Sequence, residues 1–216
     1  MKLKNYKFIL KEIGQSRFLY LQSVALLIIT YIDWTLMPYV TKLEGTFLPV
    51  YMISFFMLIG ALDGIIQPLF KYIKICNIYL FSILLDLIQI ASYFLYHVSI
   101  ELFTYVILAI FTIQGITFEI ARVHTVDFMQ SESIELKEYL MLRSFIISLA
   151  IILGGVSAML LDYLDVNLAY ILIFLSILAL YGIYLQYRLY KIFKNKFLQF
   201  DLEIEMDKKE LFEKFR

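Results

Sequence analysis

Long stretches of this chain run almost without charge, and each is about as long as a lipid bilayer is thick. From Leu102 to Thr117 there is no Asp, Glu, Lys or Arg. Apolar residues fill both residue parities there, so the alternating strands of an outer-membrane barrel are excluded. A helix needs about 20 such residues to cross the hydrocarbon layer. The stretches place six spans near residues 18–40, 47–70, 75–96, 102–122, 143–162 and 168–188. Six spans consume roughly 120 residues, so a second soluble domain does not fit in a chain of 216. The composition agrees: 62% hydrophobic and 18% charged, where a soluble domain holds about 45 to 50% and about 25%. The expected class is an all-α integral membrane bundle of six helices. Residues 1–17 form a basic lead-in, 18–188 the membrane domain and 189–216 a tail.

Charge placement sets the orientation. The lead-in carries Lys2, Lys4, Lys7, Lys11 and Arg17; Lys71 and Lys74 lie between spans two and three, and Lys137 and Arg143 between four and five. Arg188, Lys191, Lys194 and Lys196 follow the last span, whereas the opposite connections hold only Lys42. The positive-inside rule therefore puts both termini in the cytoplasm, in a cytoplasmic membrane of the bacterial inner-membrane kind. The first span is too long for a cleaved signal peptide and lacks a small-residue cleavage site. Leu3, Tyr6, Ile9, Leu10 and Ile13 recur at helical spacing among lysines, which fits either a helix in the headgroup layer or a solvated leader. In the tail, Asp207 and Glu210 have capping-box spacing ahead of Leu211, Phe212 and Phe215, the pattern of a short amphipathic surface helix. Nineteen basic and nineteen acidic residues cancel, so no nucleic-acid partner is expected, and the single Cys76 excludes an internal disulfide. Six of the seventeen tyrosines, Tyr39, Tyr51, Tyr72, Tyr79, Tyr96 and Tyr187, fall near span ends as an interfacial belt would.

An enzyme inside the membrane would need catalytic sets that are missing. The only histidines are His97 and His124, both near span ends, so a Ser/His protease, a bis-His haem site and a His zinc site all lack parts. No catalytic residue, metal site or cofactor is expected. What remains is a sparse polar set within the spans: Asp33, Asp63, Asp86, Gln89, Gln114, Glu119 and Arg122. Each ionisable member costs about 2.5 to 3.5 kcal/mol at a span centre, which makes it a functional candidate. Asp33 lies in the outer half of span one, and Asp86 near the middle of span three with Gln89 on the same face. Asp86 is either a protonatable or cation-binding group or a neutral acid bonded to Gln89 or a neighbouring helix. Glu119 and Arg122 form either a snorkelling pair at the inner boundary or a cavity-facing pair that changes partners. Asp63 sits in Gly60-Ala61-Leu62-Asp63-Gly64, where a packing role and a coupling role compete.

Small residues form a second constellation: Gly60 and Gly64 in span two, and Ala150, Gly154 and Ala158 in span five. In lipid, close backbone approach drives association, so these faces mark helix contacts, within the bundle or between chains.

The order of these features resembles the N-terminal six-helix half of the major facilitator superfamily, nearest to its efflux-type members. The resemblance rests on the basic lead-in, Ile32-Asp33-Trp34 followed by Pro38, the segment Gly60 to Lys74, the stretch from Thr125 through Arg143 to Leu161, and Leu153-Gly154-Gly155-Val156-Ser157-Ala158. It covers roughly residues 5–190. Of that family's signature after the second helix, Gly64 and Lys71 are present and the acid is not. The resemblance implies that spans one and four line a central cavity and that spans two and five meet a second half. In that fold the halves are parallel repeats, so two identical chains would replace two fused ones.

The expectation is a half-size transporter of a small solute that acts as a homodimer by alternating access. Asp33, Asp86, Gln89, Gln114, Glu119 and Arg122 would line its cavity, and Gly60, Gly64, Ala150, Gly154 and Ala158 its helix or dimer contacts. The alternatives are a substrate-binding membrane subunit of a multi-component importer and a non-transporting interaction protein derived from a transporter.

Overall fold

The computed structural model describes residues 17–44, 75–131 and 136–214. Five α-helices account for nearly all of them: α1 (Arg17–Glu44), α2 (Ile75–Ser92), α3 (Ile100–Ser131), α4 (Leu136–Tyr163) and α5 (Leu168–Lys214). Each is long and apolar enough to cross a membrane, and no strand occurs among the described residues. They correspond to expected spans one, three, four, five and six. The span expected at 47–70, with Gly60, Asp63 and Gly64, lies outside the described residues, as does the lead-in before Arg17.

The helix ends follow local chemistry. Pro38 sits inside α1 without ending it, as membrane helices permit when neighbours satisfy the freed backbone. The last turn of α2 tightens into a 3-10 turn, Tyr93–His97, and the amides of Val98 and Ser99 both donate to the carbonyl of Leu95. The Ser99 hydroxyl then accepts from the amide of Leu102 at 3.2 Å and caps α3. Between α4 and α5 the amides of Asp165 and Val166 donate back to the carbonyls of Asp162 and Leu161. Asp165 has φ 51°, so the turn is a Schellman motif with Asp in place of the usual Gly. Asn167 starts α5 by accepting from the amide of Ala169 at 2.9 Å.

Helix α1 is the hub, packed chiefly against α4 and α5 and more lightly against α3, while α2 packs on α3 and α5. Phe103, Leu36, Ile107 and Leu175 form the fully buried centre. The α1/α4 seam is parallel and laced by hydroxyls. The Gln22 amide donates to the Tyr139 hydroxyl at 3.3 Å, Tyr31 to Ser157 Oγ at 3.0 Å and Tyr39 to the carbonyl of Ala158 at 3.3 Å. Ala150, Gly154 and Ala158 are buried, and a Cβ at Gly154 would lie 2.9 Å from Trp34 Cβ and 3.0 Å from the Tyr31 carbonyl oxygen. The small face of α4 is thus occupied within the chain. The expected role of Gly154 at a contact between two chains gives way to one inside the bundle, because α1 already fills the space a partner would need. The outer face of α4, with Ile152, Val156 and Met159, is exposed.

The expected surface helix of the tail also changes form, since α5 runs as one helix of 47 residues through Lys214. Where α5 leaves the apolar segment, cations lie over rings one turn back: Arg188 over Tyr184 at 5.6 Å, Lys191 over Tyr187 at 4.7 Å and Lys194 over Tyr190 at 5.8 Å. Such aromatic and basic pairs suit the boundary between headgroups and hydrocarbon.

The connection at Ser99 and the one at Asn167 share one end of the bundle, opposite Asn77. Cysteines at Ser99 and Asn167 are therefore expected to react with an impermeant thiol reagent added outside intact cells, and one at Asn77 only after permeabilisation. The reverse labelling would invert the orientation.

Candidate functional site

Helix α2 lines up Asp86, Gln89 and Tyr93 at i, i+3 and i+7, which places them on one face pointing into the bundle. Around this face α3 contributes Gln114, α5 contributes Gln186 and α1 contributes Asp33. Asp86, Gln89, Gln114 and Gln186 are each no more than 3% exposed. They form one hydrogen-bonded set. Gln114 Nε2 donates to Asp86 Oδ1 and to Gln89 Oε1, both at 2.9 Å. Gln186 Nε2 donates to Asp86 Oδ2 at 2.6 Å. Gln89 Nε2 donates to the Tyr93 hydroxyl at 3.1 Å, and Ser92 Oγ to the Gln89 carbonyl at 2.7 Å. Asp33 lies beside Gln89 and within electrostatic reach of Asp86 and Tyr93.

The carboxylate of Asp86 thereby ties three helices together, as the neighbouring-helix reading of this residue expects; its partners are Gln114 and Gln186, and Gln89 joins the set through Gln114. The set holds one buried acid, Asp86, and one half-buried acid, Asp33, and its hydrogen-bond donors are neutral amides and hydroxyls. In a medium of low dielectric such a network is costly unless its polar atoms are satisfied. It rises along α2 from Asp86 to Tyr93, roughly 10 Å at 1.5 Å per residue.

A cavity lies beside the network, in the half of the bundle that holds Arg17, Asn77 and Lys137. Gln22, Ser82, Thr117, Tyr139 and Arg143 are among its lining residues, and Gln186 belongs both to its wall and to the network. It has about 50 Å³ of space for water, enough for a few molecules. Most of the remaining wall is apolar, including Ala25, Ile29, Ile78 and Leu189.

Of the residues singled out in the sequence, Asp33, Asp86, Gln89 and Gln114 are brought together. Asp33 is not a wall of this cavity; its Oδ1 is shielded from solvent. The side chains of Glu119 and Arg122 lie outside the described residues. Gln186, Tyr93 and Ser92 were not foreseen. Gln186 falls two residues before Arg188, at the expected inner boundary of the last span. The available signal was its row on α5, where Leu175, Ala179 and Gly182 precede it at spacings of three and four and are all buried.

Among the described residues no group of three or more His, Cys, Asp or Glu comes together, which leaves a transition-metal centre without its ligands there. No protein-family model, curated protein or solved structure matches the chain.

Proposed function

We propose that this chain is an integral membrane transporter of a small solute that works by alternating access, with the Asp33, Asp86, Gln89, Gln114 and Gln186 network as its coupling centre. The observation that carries the reading is Gln186, which lines a cavity in one half of the bundle and donates to a buried carboxylate. A polar group at this depth is expensive to maintain, and a packed bundle without a permeation role gains little from a network connected to water. Opening and closing around the network would expose the cavity end and the opposite end in turn.

The chain acts as a homodimer in this proposal, two half-size units surrounding one pathway. Because α1 covers the Ala150, Gly154 and Ala158 face, the contact between chains falls to other surfaces, the outer face of α4 among them. The continuation of α5 to Lys214 favours one alternative in particular, a membrane subunit that docks an energy-supplying partner through its tail.

The test compares cells producing the wild type with cells producing Asp33→Asn at matched membrane abundance. A panel of amino acids, sugars and cationic dyes is assayed for uptake and efflux. At least one solute is expected to move with the wild type and not with the variant. Equal fluxes in wild type, variant and empty-vector cells across the panel would remove the transport reading, and flux by a protein that is monomeric in nanodiscs would remove the dimer.

A further inference from the structure

Charge is unevenly placed around the cavity. Among its described lining residues Arg143 is the only charged one, and it stands with polar neutral groups of Gln22, Ser82, Thr117 and Gln186. The register of the helices sets Arg143 and Gln186 at one depth. Arg143 lies one turn along α4 from Tyr139, which meets Gln22 of α1; Gln186 lies one turn along α5 from Gly182, which packs beside Ile28 and Ile29. Because α4 runs parallel to α1 and α5 turns back, both steps end level with Ala25, itself part of the cavity wall. Behind Gln186 stands Asp86. Gln186 Nε2 donates to Asp86 Oδ2 at 2.6 Å, whereas Gln186 Oε1 is shielded from solvent and has no hydrogen-bond partner. Turning this amide over would set its oxygen against the carboxylate, so the bond that holds the nitrogen also holds the orphaned oxygen. A buried acceptor without a donor is rare and costly. The other acid of the network, Asp33, is farther off, roughly 12 Å along α1 from Ala25 at 1.5 Å per residue.

We propose that the cavity binds a small zwitterion of the amino-acid kind, with its carboxylate on Arg143 and its ammonium on Gln186 Oε1, toward the charge of Asp86. A guanidinium takes a carboxylate through two parallel hydrogen bonds, and its five N–H donors leave others for a neighbour within the chain. An ammonium supplies the donor that Gln186 Oε1 lacks, and Asp86 attracts it across one amide group. A plain anion would meet Arg143 and be repelled by Asp86, and a plain cation would meet the reverse. A molecule carrying both charges suits both sides. About 50 Å³ of space for water keeps the solute small. Ala25, Ile29, Ile78 and Leu189 make much of the remaining wall apolar, so further charge on the solute would lose water without gaining a partner. This deepens the transport reading by naming the class of its solute. It rests on that reading only for movement of the solute, since binding is measured without transport.

The full-length protein in nanodiscs is heated with glycine, alanine or β-alanine, and with propionate or ethylamine, which keep the alanine skeleton but lack one of its charges. A ligand that binds only the native state raises stability in proportion to ln(1 + [L]/Kd). A saturable rise in Tm is expected with at least one amino acid, at a concentration at least tenfold below what either single-charge analogue needs. Two variants locate the site, each titrated calorimetrically at a temperature where it is folded. Arg143→Gln removes the charge and is expected to weaken the apparent affinity at least tenfold, and Ala25→Val narrows the cavity without altering a charge and is expected to weaken it as well. No response of the wild type to any amino acid would overturn the site. Propionate as effective as the amino acids would make it an anion site and ethylamine as effective a cation site, and either result overturns the proposal. Unchanged affinity in both variants would move the binding elsewhere and overturn it equally. Flux of a sugar or dye without an amino-acid response would sink the site and spare the transport reading, and an amino-acid response without flux would do the opposite.

Discussion

Replacing Gly154 by leucine is expected to be among the most damaging single changes in the bundle, and replacing its neighbour Gly155 among the mildest. A Cβ at Gly154 meets Trp34 Cβ at 2.9 Å, the Tyr31 carbonyl oxygen at 3.0 Å and the Thr35 amide nitrogen at 3.2 Å. Two of these three obstacles are backbone of α1, which cannot swing aside as a side-chain tip can. Even alanine therefore separates the helices, at a cost of about 1 to 3 kcal/mol typical of overpacking, and leucine costs more. The separation also lengthens the bonds from Tyr31 to Ser157 and from Tyr39 to the Ala158 carbonyl, already 3.0 and 3.3 Å. At Gly155 a Cβ meets nothing within 4 Å. Gly155→Ala is expected to leave stability unchanged or to raise it by up to about 1 kcal/mol, through reduced backbone freedom in the unfolded chain. Graded unfolding in a denaturing detergent measures both. Similar midpoints for the two alanine variants would show that α1 and α4 do not approach as described.

The second large effect belongs to Asp86. Asp86→Leu strips the acceptor from two buried amides at once, and each unsatisfied group costs about 1 to 3 kcal/mol. Asp86→Asn is expected to be milder. Its side-chain oxygen keeps one amide, and its new NH₂ group finds an acceptor when the other glutamine turns over and offers Oε1. The ranking wild type, Asn, Leu is thus a signature of the hydrogen bonds rather than of charge. A double-mutant cycle between Asp86→Leu and Gln186→Leu is expected to couple by about 1 kcal/mol, within the range for interhelical bonds in membranes. Additive losses would show that α2 and α5 are not joined through this pair. Transport should fail equally in Asp86→Asn and Asp86→Leu, which separates the fold from the activity.

Much of this was legible because hydrocarbon thickness dictates the length of an apolar run. Four expected spans lie within α1, α3, α4 and α5, and the one at 75–96 covers α2 and runs into the 3-10 turn after it. Their ends were less legible: α3 continues to Ser131, α4 starts at Leu136 and α5 persists to Lys214, beyond limits set at 122, 143 and 188. Hydropathy marks where the membrane stops, and the flanks of α4 and α5, with Lys137, Glu138, Lys191 and Lys194, hold good helix formers that carry on past it. The polar centre was half visible. Asp33, Asp86, Gln89 and Gln114 stand out against apolar neighbours, whereas Gln186 is hidden by the arginine two residues later. Gly154 announced a close contact but not its partner. A missing side chain records that something approaches, and only the fold tells that it is α1.

Helix α5 holds Gln186 against Asp86 and then continues without a break to Lys214. At about 1.5 Å per residue the stretch from Gln186 to Lys214 is roughly 42 Å long. A rod of that length is a lever with its fulcrum in the membrane, and a tilt of about 10° at Gln186 swings the far end by roughly 7 Å. Occupancy of a site a few ångströms across can thereby be read as a displacement in the aqueous phase, by whatever touches the tip.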